Sequence, residues 1–133
     1  MFGWEIPGLS FSLPANQDFS NEGTYQWTPV TAVAASGLDS YTGAAAAPIA
    51  TTGDPIVGIL QNNPLLGEAA TIVVDGVSKA LLAATVTVGQ LLMALPSGGF
   101  APCTAGNTAV AQALQAGGAG NIVAVLLVRN GKQ

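Results

Sequence analysis

Residues 71–80 read TIVVDGVSKA, and this stretch decides the fold class. Two runs of β-branched and small apolar residues flank the pair Asp75-Gly76. β-branched residues favour strands, and Asp-Gly is a typical two-residue hairpin turn. The sequence therefore predicts two antiparallel strands, over 69–74 and 77–80, that are joined by a tight turn at Asp75-Gly76.

The same pattern of short apolar runs separated by Gly and Pro continues through the rest of the chain. Gly98-Gly99 and Gly117-Gly118 predict two further turns, and good helix formers such as Glu, Lys and Arg are few. We therefore predict an all-β fold, a small β-barrel or β-tulip-like domain. The predicted strands cover residues 23–31, 56–61, 69–74, 77–80, 91–95, 110–115 and 122–128.

Two stretches leave a helix open as an alternative. Residues 43–47 are rich in Ala but too short to nucleate a helix alone, and Asn107 is placed to cap a helix over 108–116. A faint internal repeat favours a strand at the second stretch. Segments 56–61 and 110–115 both end in Leu-Gln, and each is followed by a Gly-containing loop and another apolar run.

The composition excludes several classes of function. Charged residues make up 8% of the 133 residues, against about 25% in an average domain. The cations are Lys79, Arg129 and Lys132, too few to bind nucleic acid, and the net charge is −4. No apolar run is long enough to span a membrane, and no basic residue precedes an apolar core at the N-terminus. We expect no membrane partner and synthesis in the cytoplasm.

The residues that usually carry catalysis are scarce. The chain has no His and a single Cys, Cys103, which we interpret as a small apolar side chain because no cation lies near it in sequence. Asp54, Glu68 and Asp75 adjoin Pro or Gly, as turn residues do, and no calcium or phosphate-binding motif occurs. We therefore expect no enzyme activity, no catalytic residue, no metal and no cofactor.

Residues 1–28 differ from residues 29–133. They contain six of the eight aromatic residues together with Pro7 and Pro14, and they show no sustained period. We predict an extended N-terminal arm over 1–28 that contacts a partner, followed by a β-rich domain over 29–133. The alternative is that the aromatic side chains fold back onto the domain's own core. The predicted partner-binding residues are Phe2, Trp4, Phe11, Phe19, Tyr25 and Trp27.

One part of the sequence resembles a known family. Residues 55–64 read PIVGILQNNP, and GEAATIVV at 67–74 and GVSKA at 76–80 follow. This resembles the capsid cement, or head decoration, proteins of tailed phages, whose pattern includes L-Q-N-x-P-x-x-G-E. Where that family often has Gly-Asp, this chain has Gly89-Gln90 and Gly120-Asn121. The arm lies outside the resemblance.

The resemblance implies a structural virion protein. Such a protein would bind the major capsid protein on the outer face of the shell and stabilise it, and it would self-associate, most simply as a homotrimer. The low charge agrees, because little repulsion opposes contact between identical subunits. The alternative is a non-catalytic β module of a virion fibre or surface structure that binds carbohydrate or another protein.

Overall fold

The computed structural model describes residues 6–20, 25–38 and 41–132, and these ranges contain strands, turns and loops but no helix. The all-β prediction is confirmed. The strands are, in chain order, β1 (Ile6–Pro14), β2 (Pro29–Ala34), β3 (Ala44–Ala47), β4 (Gly58–Leu60), β5 (Ala69–Leu81), β6 (Leu91–Ala94), β7 (Phe100–Pro102), β8 (Thr108–Ala113) and β9 (Ile122–Lys132).

A single antiparallel sheet contains these strands, and β5 is its centre. The order is β3-β2-β4-β5-β9-β8-β6-β7, and β1 also pairs with β5. Val73 pairs with both β1 and β4, and Val77 pairs with both β1 and β9. A strand residue has one neighbour on each edge. It follows that β4 and β9 share one edge of β5, and β1 occupies the other.

Each half of the sheet curls so that its outermost strand, β3 or β7, forms a bridge with the chain at the end of β1 or β5. In one half, a bridge between Ala15 and Ala46 joins the end of β1 to β3, and in the other a bridge between Leu82 and Phe100 joins the end of β5 to β7. The sheet packs around two buried apolar clusters, and both include residues of β4 and β5. The first cluster consists of Ala15, Phe19, Val30, Ala46, Leu60, Ala70 and Ile72. Phe100, Leu92 and Val125 are among the members of the second.

The predicted hairpin at Asp75-Gly76 is wrong. β5 runs straight through this pair, and Gly76 adopts a positive φ of 90° within the strand. The reason is tertiary: β1 pairs along β5 from Ala69 to Val77, so the chain has a partner and need not reverse. The pairing is irregular next to the pair, with register shifts between Pro7 and Ser10 of β1. Asp-Gly is therefore accommodated as an irregularity in a long strand.

Other local predictions have mixed outcomes. Residues 108–113 form strand β8, so the interpretation drawn from the repeat is confirmed. The two repeated segments form β4 and β8, and each pairs antiparallel with the strand that follows it in the repeat. A turn at Gly98-Gly99 connects β6 to β7 as predicted. Residues 23 and 24 of the strand predicted over 23–31 lie outside the described residues, and in the remainder the strand begins at Pro29. The Ala-rich segment 44–47 is strand β3, which the sequence did not predict.

One turn type recurs in five places in the described part of the chain. In each, the third residue is Gly with φ between 79° and 86°, and the fourth N–H donates to the first C=O. This is the geometry of a type II turn, which needs a positive φ at its third position. In four of the five, a side-chain oxygen of the fourth residue also accepts a hydrogen bond of 2.7–3.1 Å from the first N–H. The turns are residues 51–54, 65–68, 87–90, 104–107 and 118–121.

Arg129 joins the two halves of the sheet. Between its pairing with β4 and its pairing with β9, β5 lacks a strand neighbour on that edge. The Arg129 guanidinium donates there to the carbonyl oxygens of Ile56, Val57 and Val74, at 3.0, 3.1 and 3.0 Å. The planar guanidinium has five donors and can satisfy several carbonyls together. It thus supplies hydrogen bonds where the strand ladder is interrupted.

Candidate protein-binding surface

Four of the six aromatic residues predicted to bind a partner lie in the described part of the chain. Phe2 and Trp4 lie outside the described residues. Phe19 is fully buried in the first apolar cluster, and the Tyr25 ring packs edge-on against it at a centroid distance of 5.2 Å. These two side chains therefore pack in the chain's own core.

Trp27 is held by the backbone as well as by its ring. Its N–H donates to the Leu60 carbonyl at 2.7 Å, and its carbonyl accepts from the Leu81 N–H at 2.9 Å. The Lys79 ammonium lies 5.2 Å from the centre of the indole ring. A cation at this distance is attracted to the electron-rich ring face. These contacts offset a left-handed backbone conformation, φ 72°, that a side-chain-bearing residue rarely adopts.

Phe11 differs from these three. It lies opposite Ile72 in the pairing of β1 with β5, and it is 40% exposed. Residues 8–12 of β1 are all exposed. Of the four described aromatic residues of the arm, Phe11 is therefore the one whose ring is most open to a partner. The assignment of all six residues to a binding role stays a prediction.

The motif that carries the family resemblance builds one of the five turns. The Asn62 side chain bonds to the Ala69 carbonyl and the Thr71 N–H, and the Glu68 carboxylate accepts from the Leu65 N–H. Gly67 supplies the positive φ, 83°. Of the specified positions of L-Q-N-x-P-x-x-G-E, Asn62, Gly67 and Glu68 therefore hold the turn and its neighbouring strand, whereas Leu60 belongs to the buried core. The two unspecified positions between Pro64 and Gly67 hold Leu65 and Leu66.

Both leucines are exposed at the tip of this turn. Leu65 is 49% exposed and Leu66 is 51% exposed, and Tyr41 nearby is 44% exposed. A cavity of about 400 Å³ opens between the turn, the end of β1 and the residues Gly37, Leu38 and Tyr41. We call this surface the apolar end. Its residues are Pro14, Leu38, Tyr41, Leu65 and Leu66.

Hydrogen bonds hold the turn 65–68 and the Tyr41 side chain of the apolar end. The Gly67 N–H donates to the Ala15 carbonyl at 2.9 Å, and the Ala15 N–H donates to the Glu68 carbonyl at 2.8 Å. The Tyr41 hydroxyl donates to the Ala44 carbonyl at 2.8 Å, and its ring lies against Gly43, where a β-carbon would collide with it. A surface that is already ordered loses little conformational entropy when a partner binds.

Two carboxylates lie close to the apolar end. Glu68 is the last residue of the turn, and Asp18 is the residue before Phe19, whose N–H donates to the Pro64 carbonyl at 2.8 Å. Hydrogen bonds from the Ser20 side chain and backbone N–H lower the pKa of Asp18. Asp18 is therefore ionised at neutral pH, and the surroundings of the apolar end carry negative charge.

Sequence reasoning missed the apolar end. Leu65 and Leu66 occupy turn positions, where polar residues are usual, and two adjacent leucines there are the signal that could have drawn attention to the site. Tyr41 carried no such signal in the sequence, because its proximity to Leu66 depends on the path of the chain in the folded protein. Leu66 and Tyr41 are far apart in sequence and line one cavity only in the folded chain.

A second groove, of about 440 Å³, has a different character. Ile56, Val110 and Val128 are among the residues that line it, and Arg129 lies at its side. All three carbonyl contacts of the Arg129 guanidinium belong to the fold, as described above. The groove therefore lies beside hydrogen bonds that stabilise the fold. We do not assign it a binding role.

The described residues offer little reactive chemistry. They contain no group of three or more His, Cys, Asp or Glu side chains arranged to hold a metal ion. Burial raises the pKa of the Cys103 thiol, so the reactive thiolate is disfavoured. No helix in these ranges has the length and apolar character needed to span a lipid bilayer.

Fold and surface together define an antiparallel β protein whose candidate site is a surface with exposed apolar side chains. The crystal structure of the N base of the head fiber gp8.5 of bacteriophage phi29 has a similar fold. The TM-score is 0.68 at 14% sequence identity, over 94% of this chain and 97% of that one. At this identity the similarity establishes a shared fold. No protein-family model matches the sequence, and the curated proteins include no match to it.

Proposed function

We propose that this chain is a structural protein of a phage virion that binds the outer face of the capsid and stabilises the shell of major capsid protein. The observation that carries the proposal is the fold, which is shared over 94% of the chain with the base of a phage head fiber. The sequence resemblance to capsid cement proteins supports the same conclusion independently. A non-enzymatic role agrees with the absence of His from the sequence.

The proposed mechanism needs only binding. A protein that binds the assembled shell and not its separated subunits stabilises the shell by mass action. Many identical sites on one capsid add their contributions. Sparse surface charge keeps repulsion between neighbouring copies small, so we also propose a homotrimer as the bound form. Light scattering in solution and a capsid map would show the number of copies that associate.

The test uses empty capsids purified without this protein. We expect the recombinant chain to co-sediment with them and to raise the temperature at which the shell dissociates. Bovine serum albumin at equal concentration is the control for nonspecific sedimentation. Binding without any rise in dissociation temperature would contradict cementing, and absence of binding would contradict the proposed function as a whole.

The phi29 comparison also favours a second candidate, a base module of a virion fibre that binds carbohydrate or another protein. A fibre base would bind capsids without stabilising the shell, or would bind a glycan through exposed aromatic side chains. The capsid dissociation temperature separates the first case from cementing. Binding to a glycan array would identify the second case.

Of the six predicted partner-binding residues, Phe2, Trp4 and Phe11 are the ones we retain as proposed capsid contacts. A Trp4→Ala and Phe11→Ala double variant should bind capsids on the order of 100-fold more weakly, if two aromatic anchors of about 1.5 kcal/mol each are lost. Phe11 is 40% exposed, so its truncation should change the melting temperature little. Normal binding by a double variant would exclude both rings as anchors.

A further inference from the structure

We propose that the apolar end binds a protein segment that presents an apolar side chain flanked by basic residues. The inference rests on the proposed function, under which that segment belongs to the capsid shell. The apolar end is then a docking surface that neither the sequence motif nor the predicted arm identified.

The first argument is the exposure of Leu65 and Leu66. About half of each side chain is in contact with water, although the turn that carries them is locked on both sides by backbone hydrogen bonds. Isolated exposed apolar residues are common, but these two adjoin a cavity that Leu38, Tyr41 and Pro14 help to line. The exposed leucine side chains beside this cavity offer apolar contact area to an aliphatic or aromatic side chain of a partner.

The second argument is charge. Glu68 and Asp18 place carboxylates at the edges of the apolar end, as shown above. Two described cations serve other parts of the fold, Lys79 at the Trp27 ring and Arg129 at the carbonyls beside β5. A partner with Lys or Arg next to its apolar anchor would complement this negative surface.

The charge argument also selects the occupant against a second copy of this chain. The chain has only three Lys and Arg residues, so a second copy offers few cations that could pair with Glu68 and Asp18. The segment around Trp4, the best aromatic anchor in residues 1–5, also includes Glu5. A different protein with basic residues is therefore the better complement.

The experiment compares matched variants on empty capsids. The Leu65→Ser and Leu66→Ser double variant tests the apolar end. Val88→Ser is the control, because Val88 occupies in the turn 87–90 the second position that Leu66 occupies in the turn 65–68, and Val88 is 67% exposed. We expect the Leu65→Ser and Leu66→Ser double variant to bind about 10- to 30-fold more weakly, and Val88→Ser to bind within twofold of wild type. Both variants should melt near the wild-type temperature, since they alter exposed side chains.

Asp18→Asn tests the charge. It should weaken capsid binding about threefold at low ionic strength, and the difference should vanish near 1 M NaCl, where charges are screened over a few ångströms. An unchanged affinity in the double leucine variant, with wild type binding normally, would overturn the inference and leave the proposed function standing. Loss of self-association in that variant would also overturn the inference, because the occupant of the apolar end would then be a second copy of this chain.

A measurement without capsids keeps the two proposals separable. Short peptides of the form Lys-Trp-Lys and Glu-Trp-Glu can be titrated into the labelled protein while its NMR spectrum is recorded. We expect the basic peptide to shift the resonances of Leu65, Leu66 and Tyr41, and the acidic one to leave them unchanged. Peptide binding without capsid binding would support the inference and contradict the proposed function. Shifts elsewhere, or equal shifts with both peptides, would overturn the inference.

Discussion

Replacing Arg129 by Met should destabilise the fold by removing the hydrogen bonds that bridge the two halves of the sheet. The guanidinium donates to the carbonyls of Ile56, Val57 and Val74, all within 3.1 Å. A net contribution of about 0.5–1.5 kcal/mol for each bond gives a range of about 1.5–4.5 kcal/mol. Because these carbonyls lie partly in reach of water, which replaces some of the lost bonds, we expect about 2 kcal/mol.

Urea unfolding followed by tryptophan fluorescence measures this loss of unfolding free energy directly. In thermal unfolding, a loss of about 2 kcal/mol should lower the melting temperature of a chain of this length by about 6–8 °C. Met preserves the apolar stem of Arg129, so the variant isolates the head group. Arg129→Lys is the matched control: it keeps the charge, but one ammonium group cannot reach all three carbonyls, so it should fall between wild type and Arg129→Met.

The partners of Arg129 are neutral carbonyls, so the loss should persist in 1 M NaCl. Two results would refute this reasoning. One is an unfolding free energy of Arg129→Met within about 0.5 kcal/mol of wild type, the usual range for an unimportant surface position. The other is a loss that disappears in high salt, which would point to an ion pair instead.

Three further predictions concern single residues. Phe19→Ala should cost about 3–5 kcal/mol in chemical unfolding, because the ring is fully buried in the first apolar cluster; a loss below 1 kcal/mol would place Phe19 outside the core. Gly67→Ala and Gly89→Ala should each cost about 1–2 kcal/mol, since both glycines have positive φ, but only the former lies at the apolar end and should also weaken capsid binding. Cys103 should react with a disulfide reagent more slowly than a free thiol, with a pH–rate midpoint above that of an unburied cysteine peptide, because burial raises its pKa; a midpoint below that of the peptide would contradict this.

The strand character of the chain was predictable because it is a local property. β-branched residues and frequent Gly and Pro disfavour helix at nearly every position, and no tertiary contact has to be known to see this. The repeat added information at residues 108–113, where a capping Asn107 allowed a helix but the parallel with 56–61 favoured a strand. The turn at Gly98-Gly99 was likewise predictable from two adjacent glycines.

The hairpin at Asp75-Gly76 shows where local reasoning ended. The pair is a typical turn sequence, but β1 supplies β5 with a pairing partner from Ala69 to Val77. Hydrogen bonds along that edge stabilise an extended chain that the local sequence alone would bend. Nothing near residue 75 in sequence indicates that residues 6–14 pair there.

The aromatic residues of the predicted arm show the same limit. Composition identified them as unusual, but burial depends on the path of the chain, and that path places Phe19 in the core and leaves Phe11 at its edge. The apolar end depends on tertiary structure even more, since Tyr41 and Leu66 line one cavity although they are distant in sequence. The all-β class, the scarcity of charge and the scarcity of reactive groups follow from composition and local propensity alone. Which strands pair, which aromatic rings are buried and which apolar side chains share a surface depend on contacts between residues far apart along the chain, so these features could be read only from the folded protein.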